Sequence, residues 1–373
     1  MCTSRFFLFA FWLAAAVFAQ QPNAPTLSQA THPQDPVLKD RQAQQPNVLR
    51  IPEGQIKLDM VVTDAAGNRV TGLEPWDFKV VDNGQPRKVM SFRSFNGDTV
   101  KLDPPVEILL VIDTLNLPFQ QVAFVRSEIE AFLKQNGGHL RQPLTLVLFS
   151  DSGMRMQPRP SVDGNALAEV VSQIKGGVNT ISVAMGGEGH VERFQLSVRA
   201  LANIAENEAK KPDRKLLIWV GPGWPMLNRP SDGYTDKEQR RNFDAIVELS
   251  RALREARIAV YSVSPTIGTA SVGYTFLYQN FLKGVRSYHE AESGNLALKV
   301  IAKQTGGLIF GPDNDLASQI NRCIDDANVF YRISFNPPVA DHADEYHELK
   351  VQVDRPGLAV RTNTGYYNQP TGN

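Results

Sequence analysis

Cysteine is nearly missing from this sequence: two in 373 residues, which excludes a disulfide scaffold and a cysteine-based zinc site. Histidine is scarce too, with six. No excess of one charge exists, since Lys+Arg and Asp+Glu stand at 39 each. A chain without net charge has no field to hold a polyanion, so nucleic acid is not an expected partner. Beyond the first twenty residues no apolar run approaches the roughly 20 residues of a bilayer span. What remains is ordinary for a globular protein of about two domains: 42% hydrophobic and 21% charged residues.

The N-terminus reads as an export signal. Arg5 precedes an apolar run from Phe6 to Phe18, and Val17-Phe18-Ala19 offers small residues where signal peptidase reads. Residues 1–19 are therefore expected to be removed, with Gln20 as the new N-terminus. The alternative is an uncleaved anchor. Cleavage removes Cys2 and leaves Cys323 as a lone thiol, expected as a small buried residue of the last helix. Residues 20–50 hold five prolines and seven glutamines and few large apolar residues. Such a stretch cannot bury enough surface to offset its ordering entropy and reads as a disordered linker.

From Gly54 the period becomes two. Ile56, Leu58, Met60 and Val62 share one strand face. Asn83-Gly84, between the β-prone runs 77–82 and 85–92, is a strong hairpin signal, because both residues tolerate positive φ. Residues 51–97 thus form a small β module. From Val106 buried strands alternate with amphipathic helices: strands at 106–112, 144–149, 215–220 and 258–263, and helices at 121–135, 163–175, 191–207, 237–256, 295–304 and 315–326. A short antiparallel strand is expected at 154–157 and another short strand at 308–310. The expected fold class is α/β, a doubly wound and mostly parallel sheet over 106–326. The tail, 329–368, is β again, with strands at 329–335, 348–354 and 358–362. A module as small as 51–97 has little core of its own, so the two ends are expected to meet in one β-sandwich-like domain.

Catalytic patterns are thin. Ser152 with Asp151 and His190 has no strand-turn-helix elbow to frame a nucleophile. The stretch His342-Ala343-Asp344-Glu345-Tyr346-His347 is expected on a polar loop between strands, where solvated charges are normal. Gly186-Gly187-Glu188-Gly189 lacks the Lys-Ser/Thr that a phosphate loop needs.

Three segments carry a resemblance: the strand Val106–Asp113, the strand Leu144–Phe149 with Ser150-Asp151, and Thr305-Gly306-Gly307-Leu308-Ile309-Phe310. Together, in that order, they resemble a von Willebrand factor type A domain. The flanks extend it. Val62–Gly67, Leu73 with Asp77-Phe78, Asp82–Gln85, Tyr331–Pro337, Tyr346-His347, Arg355–Leu358 and Gly365-Tyr366-Tyr367 resemble the related family seen in acidobacteria. The resemblance spans about residues 51–368. It implies fold and export and no particular activity.

Type A domains usually hold a divalent cation through Asp-x-Ser-x-Ser, a Thr in a second loop and an Asp in a third, since hard cations want several oxygens. Here the first loop reads Asp113-Thr114-Leu115-Asn116-Leu117, with Leu at both Ser positions. Val178 stands where the Thr belongs, and Pro222 where the Asp belongs. Only Asp113 of the five ligands remains, so no Mg²⁺ or Mn²⁺ cofactor is expected. The alternative is a weak site rebuilt from Asn116, Thr180 and Asp151. The simplest role for Asp113 is to accept backbone N–H bonds in the next loop or to face a helix N-terminus.

Ligands of open parallel sheets bind outside the carboxyl ends of the strands. The loops there (113–120, 176–190, 221–236 and 264–287) carry Phe119, Trp224, Tyr234, Tyr274, Phe276, Tyr278 and Phe281. Such an aromatic rim points to a protein-binding patch, unless the rings pack on each other or beneath the long fourth loop. The resulting expectation is an exported, non-enzymatic interaction or adhesion module, periplasmic or secreted, without a membrane span in the mature chain. Its partner would be a protein or extracellular polymer. The candidate contact residues are Asp113, Asn116, Phe119, Thr180, Trp224, Tyr234 and Tyr278. The alternatives are a metal-dependent adhesion domain and a hydrolase.

Overall fold

The strands, in chain order, are β1 (Ile56–Thr63), β2 (Phe78–Asp82), β3 (Gln85–Arg87), β4 (Ser91–Asn96), β5 (Glu107–Asp113), β6 (His139–Ser150), β7 (Gly153–Met156), β8 (Ser161–Asp163), β9 (Lys215–Val220), β10 (Ile258–Val263), β11 (Val329–Phe335), β12 (Glu345–Val353), β13 (Ala359–Arg361) and β14 (Gly365–Asn368). The helices are α1 (Phe119–Leu133), α2 (Gly164–Ser172), α3 (Gly186–Glu208), α4 (Asp236–Glu255), α5 (Leu298–Gln304) and α6 (Leu316–Ile324). This computed structural model describes residues 54–97, 106–174, 186–224, 227, 233–265 and 277–370. The expected signal segment 1–19 and the expected linker 20–50 lie outside the described residues, as does Thr180. Among the described residues no helix is long and apolar enough to cross a membrane.

The described residues form a mixed α/β fold with three sheets. The central one has the order β10-β9-β5-β6-β7, with β8 also on β6. Strands β10, β9, β5 and β6 run parallel in register, Ile108 facing both Leu144 and Leu216. Strands β7 and β8 return antiparallel. Alternation along β5 feeds two apolar clusters. Ile108, Leu110 and Ile112 join residues of α1, α2 and α6. Leu109 and Val111 join residues of α3, α4 and α5. A strand with helices on both sides has no polar face to show, which is why β5 and β9 read as unbroken apolar runs. The run 308–310 makes only isolated parallel bridging to β10, through Ser262 and Ile309.

The two chain ends build the other sheets together. One has the order β13-β1-β11-β4, the other β14-β12-β2-β3. Ile56, Leu58 and Met60 of β1 share an apolar cluster with Phe78 and Val80 of β2, Ile333 and Phe335 of β11, and Leu349 of β12. The Asn83-Gly84 turn has φ of 47° and 80°, as a tight hairpin requires. Two readings need correction here. The run 85–92 is not one strand: β3 stays in the hairpin, while β4 begins at Ser91 and crosses to pair with β11 in the other sheet. The segment after 362 is not a mere tail either. Gly365–Asn368 forms β14 on β12, because Tyr366 and Tyr367 bury their rings on opposite sides.

Two aspartates, Asp59 half-buried and Asp326 fully buried, join these sheets to the α/β layer. Asp59 accepts from Arg257 (2.7 Å) and Arg332 (2.9 Å). Asp326, with no exposure, accepts from Arg69 Nε (3.0 Å), Tyr261 Oη (2.8 Å) and Arg361 (2.7 Å). Burial and the Asp326 charge push the Tyr261 hydroxyl far above its ordinary range, so it stays a donor.

Candidate functional site

The chain leaves β5 toward β6 on one side, and later enters β9 on the other. The gap between the carboxyl ends of β5 and β9 is therefore the topological switch point, where open sheets of this kind form a crevice. Asp113 ends β5 and Gly221 follows β9. A Cβ added to Gly221 would sit 2.8 Å from the Asp113 Cβ, so the close approach of the two chains needs glycine.

Asp113 is wholly buried. Its Oδ1 accepts the Asn116 backbone N–H at 3.0 Å. Its Oδ2 accepts Asn116 Nδ2 at 2.9 Å and the Trp219 indole N–H at 2.8 Å. Asn116 Nδ2 also donates to Ser197 Oγ of α3 at 3.0 Å. Burial pushes the Asp113 carboxyl above its ordinary value, and the Asn116 and Trp219 bonds pull against it. Arg193, one turn before Ser197 on α3, is only 3% exposed; burial lowers its pKa and the Asp113 charge raises it. Asn116 Oδ1 is buried without a hydrogen-bond partner.

These residues do not fit a divalent cation. Both Asp113 oxygens face N–H hydrogens, the positive ends of dipoles, where a cation would need free lone pairs. Leu115 and Leu117, at the two serine positions of the metal pattern, are buried at 0% and 1% exposure. One joins the cluster on one side of the sheet, the other the cluster on the opposite side. The first loop is thus nailed down by side chains that donate nothing to a metal.

The rim residues divide. Phe119, first in α1, is 56% exposed. Tyr234 is half-buried and bonds Ser293 Oγ at 2.7 Å. Tyr278 is half-buried with Lys299 Nζ 5.8 Å from its ring centroid. Trp224 is not on the rim, and that expectation is corrected. It is 5% exposed, stacks edge-on to Trp219 at 5.2 Å, and donates its indole N–H to Leu296 O at 2.9 Å. A large ring with a satisfied N–H gains more from the apolar interior than from water. Tyr274 and Phe276 lie outside the described residues.

The catalytic patterns do not assemble. Ser152 Oγ pairs with Ser150 Oγ at 2.8 Å, and among the described residues no hydrogen bond joins it to His190. The 342–347 stretch is not all loop. His342 is exposed, but His347 lies in β12 at 3% exposure. Its Nδ1 stands 2.7 Å from Asp82 Oδ1. Tyr366 donates to Asp82 Oδ2 at 2.9 Å and stacks on the His347 ring at 4.9 Å. Among the described residues no group of three or more His, Cys, Asp and Glu is arranged to hold a metal. Cys323 is fully buried and its thiol is pushed well up by burial, which leaves it unreactive.

Sequence reasoning missed Arg193, Ser197 and Trp219. Trp219 carried a signal: an indole N–H inside a buried strand must find an acceptor. The Asp82–His347–Tyr366 cluster carried another, since its members come from three motif segments far apart in the chain.

No protein-family model matches the sequence, and no curated protein matches it. Similar solved structures include a von Willebrand factor type A protein from Catenulispora acidiphila, with 10% identity, TM-score 0.32, and 86% of this chain and 75% of that one covered. The pilus adhesin SpaC from Lactobacillus rhamnosus GG has 12% identity and TM-score 0.32, with 79% and 48% covered. Proximal thread matrix protein 1 from the mussel byssus has 12% identity and TM-score 0.35, with 60% and 48% covered. The chain spans about half the length of the adhesin and of the matrix protein.

Proposed function

We propose that this is an exported, non-enzymatic interaction module that binds a protein or extracellular polymer through the carboxyl edge of its central sheet. The proposed architecture is a doubly wound sheet of the von Willebrand factor A type, flanked by a β-sandwich that the two chain ends share. The observation that supports the binding face is a pairing. The switch point is filled by Asp113, Asn116 and Trp219, while Phe119, at the start of the adjoining helix, stays 56% exposed. A filled crevice leaves the rim as the contact surface, and an exposed aromatic is the kind of residue that anchors one. The test is capture from the source cell's envelope, run side by side with wild-type protein and Phe119→Ser. Loss of the same retained species in the variant supports this reading. Equal retention by both proteins contradicts it.

A metal-dependent adhesion site is the second reading. It has one observation in its favour, the buried and unpartnered Asn116 Oδ1. It requires Asp113 to release the N–H donors of Asn116 and Trp219, and a melt with and without chelator separates it from the first. Among the described residues a hydrolase reading has no nucleophile–base contact to rest on, and turnover in a broad hydrolase panel would revive it.

A further inference from the structure

Irregular chain normally runs over a protein's surface, because a buried loop has backbone polar groups to satisfy. The stretch 284–297 breaks that habit. It holds only two short 3₁₀ turns, Tyr288–Glu290 and Ser293–Leu296, yet Val285, Ala291, Ser293 and Leu296 are each at most 3% exposed. Its first end is seated on the C-terminal strands. Val285 O accepts the Tyr367 hydroxyl of β14 at 3.1 Å. Gly284 lies so close to the Tyr346 ring of β12 that a Cβ there would overlap it, and Gly365 of β14 leaves no room for a Cβ beside the Tyr346 hydroxyl. Tyr346 is thus pinched between this stretch and β14. The other end is seated on the loop after β9. Leu296 O accepts the Trp224 indole N–H at 2.9 Å. Ser293 Oγ stands 2.7 Å from the Tyr234 hydroxyl and 3.2 Å from Leu227 O. Bonds within the stretch brace it between these ends: Arg286 N–H donates to Glu290 Oε2 at 3.1 Å, and Glu292 N–H to Asn295 Oδ1 at 2.9 Å. In its middle, His289 O accepts from Gln239 of α4 at 2.7 Å.

We propose that residues 284–297 form a strap that couples the carboxyl-edge loop after β9 to the seating of β14 on β12. Drawing β14 away releases Tyr346 and the Val285 carbonyl. The strap then shifts and pulls Leu296 and Ser293 off Trp224 and Tyr234. A braced, buried segment passes such a shift along because it has packed neighbours on every side and no slack to absorb it. A disturbance at the C-terminal strands therefore reaches the loop face of the central sheet. This inference stands on the contacts of the strap and does not require that the face bind a partner.

The test is amide hydrogen exchange on the full chain, read in the peptides that contain Trp224 and Tyr234. Tyr367→Phe keeps the ring and removes only the bond to Val285 O. It should speed exchange in those peptides about fivefold, the effect of one lost hydrogen bond carried through the strap. Gly284→Ala drives a methyl into the Tyr346 ring and should speed it further. The peptides of β5 and α1 should keep their wild-type rates in both variants. Val80→Ala is the control. It opens the apolar cluster of the chain-end sheets, to which neither Val285 nor Leu296 belongs, and should leave the Trp224 and Tyr234 peptides unchanged. Coupling is reciprocal, so Ser293→Ala at the far end should speed exchange in β14. Unchanged rates around Trp224 and Tyr234 in Tyr367→Phe overturn the proposal. So do rates raised as much by Val80→Ala, and so does unchanged β14 exchange in Ser293→Ala. Should Gly284→Ala fail to fold, Tyr367→Phe and Ser293→Ala decide.

Discussion

Asp82 and Asp113 are both without solvent exposure, one between the chain-end sheets and the other at the edge of the central sheet. Burial pushes each carboxyl up, but the outcomes are opposite. Around Asp82 the bonds from His347 and Tyr366 and the charge of Arg87 outweigh burial, and its pKa falls below the ordinary value. Around Asp113 the bonds from Asn116 and Trp219 do not, and its pKa rises. The difference is one of partners. Asp82 has a guanidinium at 3.2 Å and an imidazole at 2.7 Å, whereas the direct donors to Asp113 are neutral. Their reach differs too. Asp82 joins residues 265 and 284 positions away, so it ties the N-terminal hairpin to the C-terminal strands. Asp113 bonds its own loop through Asn116 and the neighbouring strand β9 through Trp219. The first is a fastening between chain ends, the second a shaping of a surface.

The sharpest way to break this comparison is to remove each carboxylate. Asp82→Ala leaves a buried imidazole, a tyrosine hydroxyl and Arg87 without their acceptor, and should cost about 3–5 kcal/mol in urea unfolding. The damage should appear as protease cleavage in 54–97 before cleavage in 106–326. Asp113→Ala takes the acceptor from the N–H groups of Asn116 and Trp219 and should cost less, about 1–3 kcal/mol, with the chain-end sheets still protected. If the order of these two losses is reversed, the distinction between fastening and shaping is wrong. Gly221→Ala is smaller again. Its methyl meets Asp113, and a loss of about 1 kcal/mol is expected from the forced shift.

The smallest effect is the pH dependence, and its sign is opposite at the two sites. The folded pKa of Asp82 lies below the ordinary 3.8, so its stabilisation is present above that value and lost as pH falls through the lower one. The advantage of wild type over Asp82→Asn should therefore shrink below about pH 4. The folded pKa of Asp113 lies above 3.8, so its contribution is fullest below that value and declines as pH rises through the raised one. The stability of wild type relative to Asp113→Asn should improve as pH is lowered from 7 toward 4, measured by urea midpoints at each pH.

Much of the fold was legible because burial on both faces leaves a plain pattern. The strands 215–220, 258–263 and 329–335 coincide with β9, β10 and β11. Asn83-Gly84 announced its turn through its own backbone chemistry. The split of 85–92 between two sheets was not legible, because nothing in a short β-prone run says which neighbour its second half will choose. The site was legible in outline. That only Asp113 of the expected five-ligand metal pattern is present is read from residue types alone. The contents of the crevice were not, since Trp219 and Ser197 arrive from elements more than 80 residues away, and only folding sets them against Asp113 and Asn116. Trp224 misled for a related reason: an aromatic in a loop reads as exposed, and whether its N–H finds a carbonyl such as that of Leu296 is a tertiary fact.

A carboxyl edge satisfied by the protein's own groups needs no cation to hold its shape. The most direct measurement is the thermal melt of the purified chain in millimolar Mg²⁺ or Mn²⁺ against the same protein in excess chelator, for wild type and Asp113→Ala. A cation that bound only the folded state would raise the melting temperature with its concentration. The account predicts the same melting temperature in cation and in chelator for both proteins. A wild-type melt that drops in chelator, with the drop absent from Asp113→Ala, would contradict it and restore a metal to the switch point.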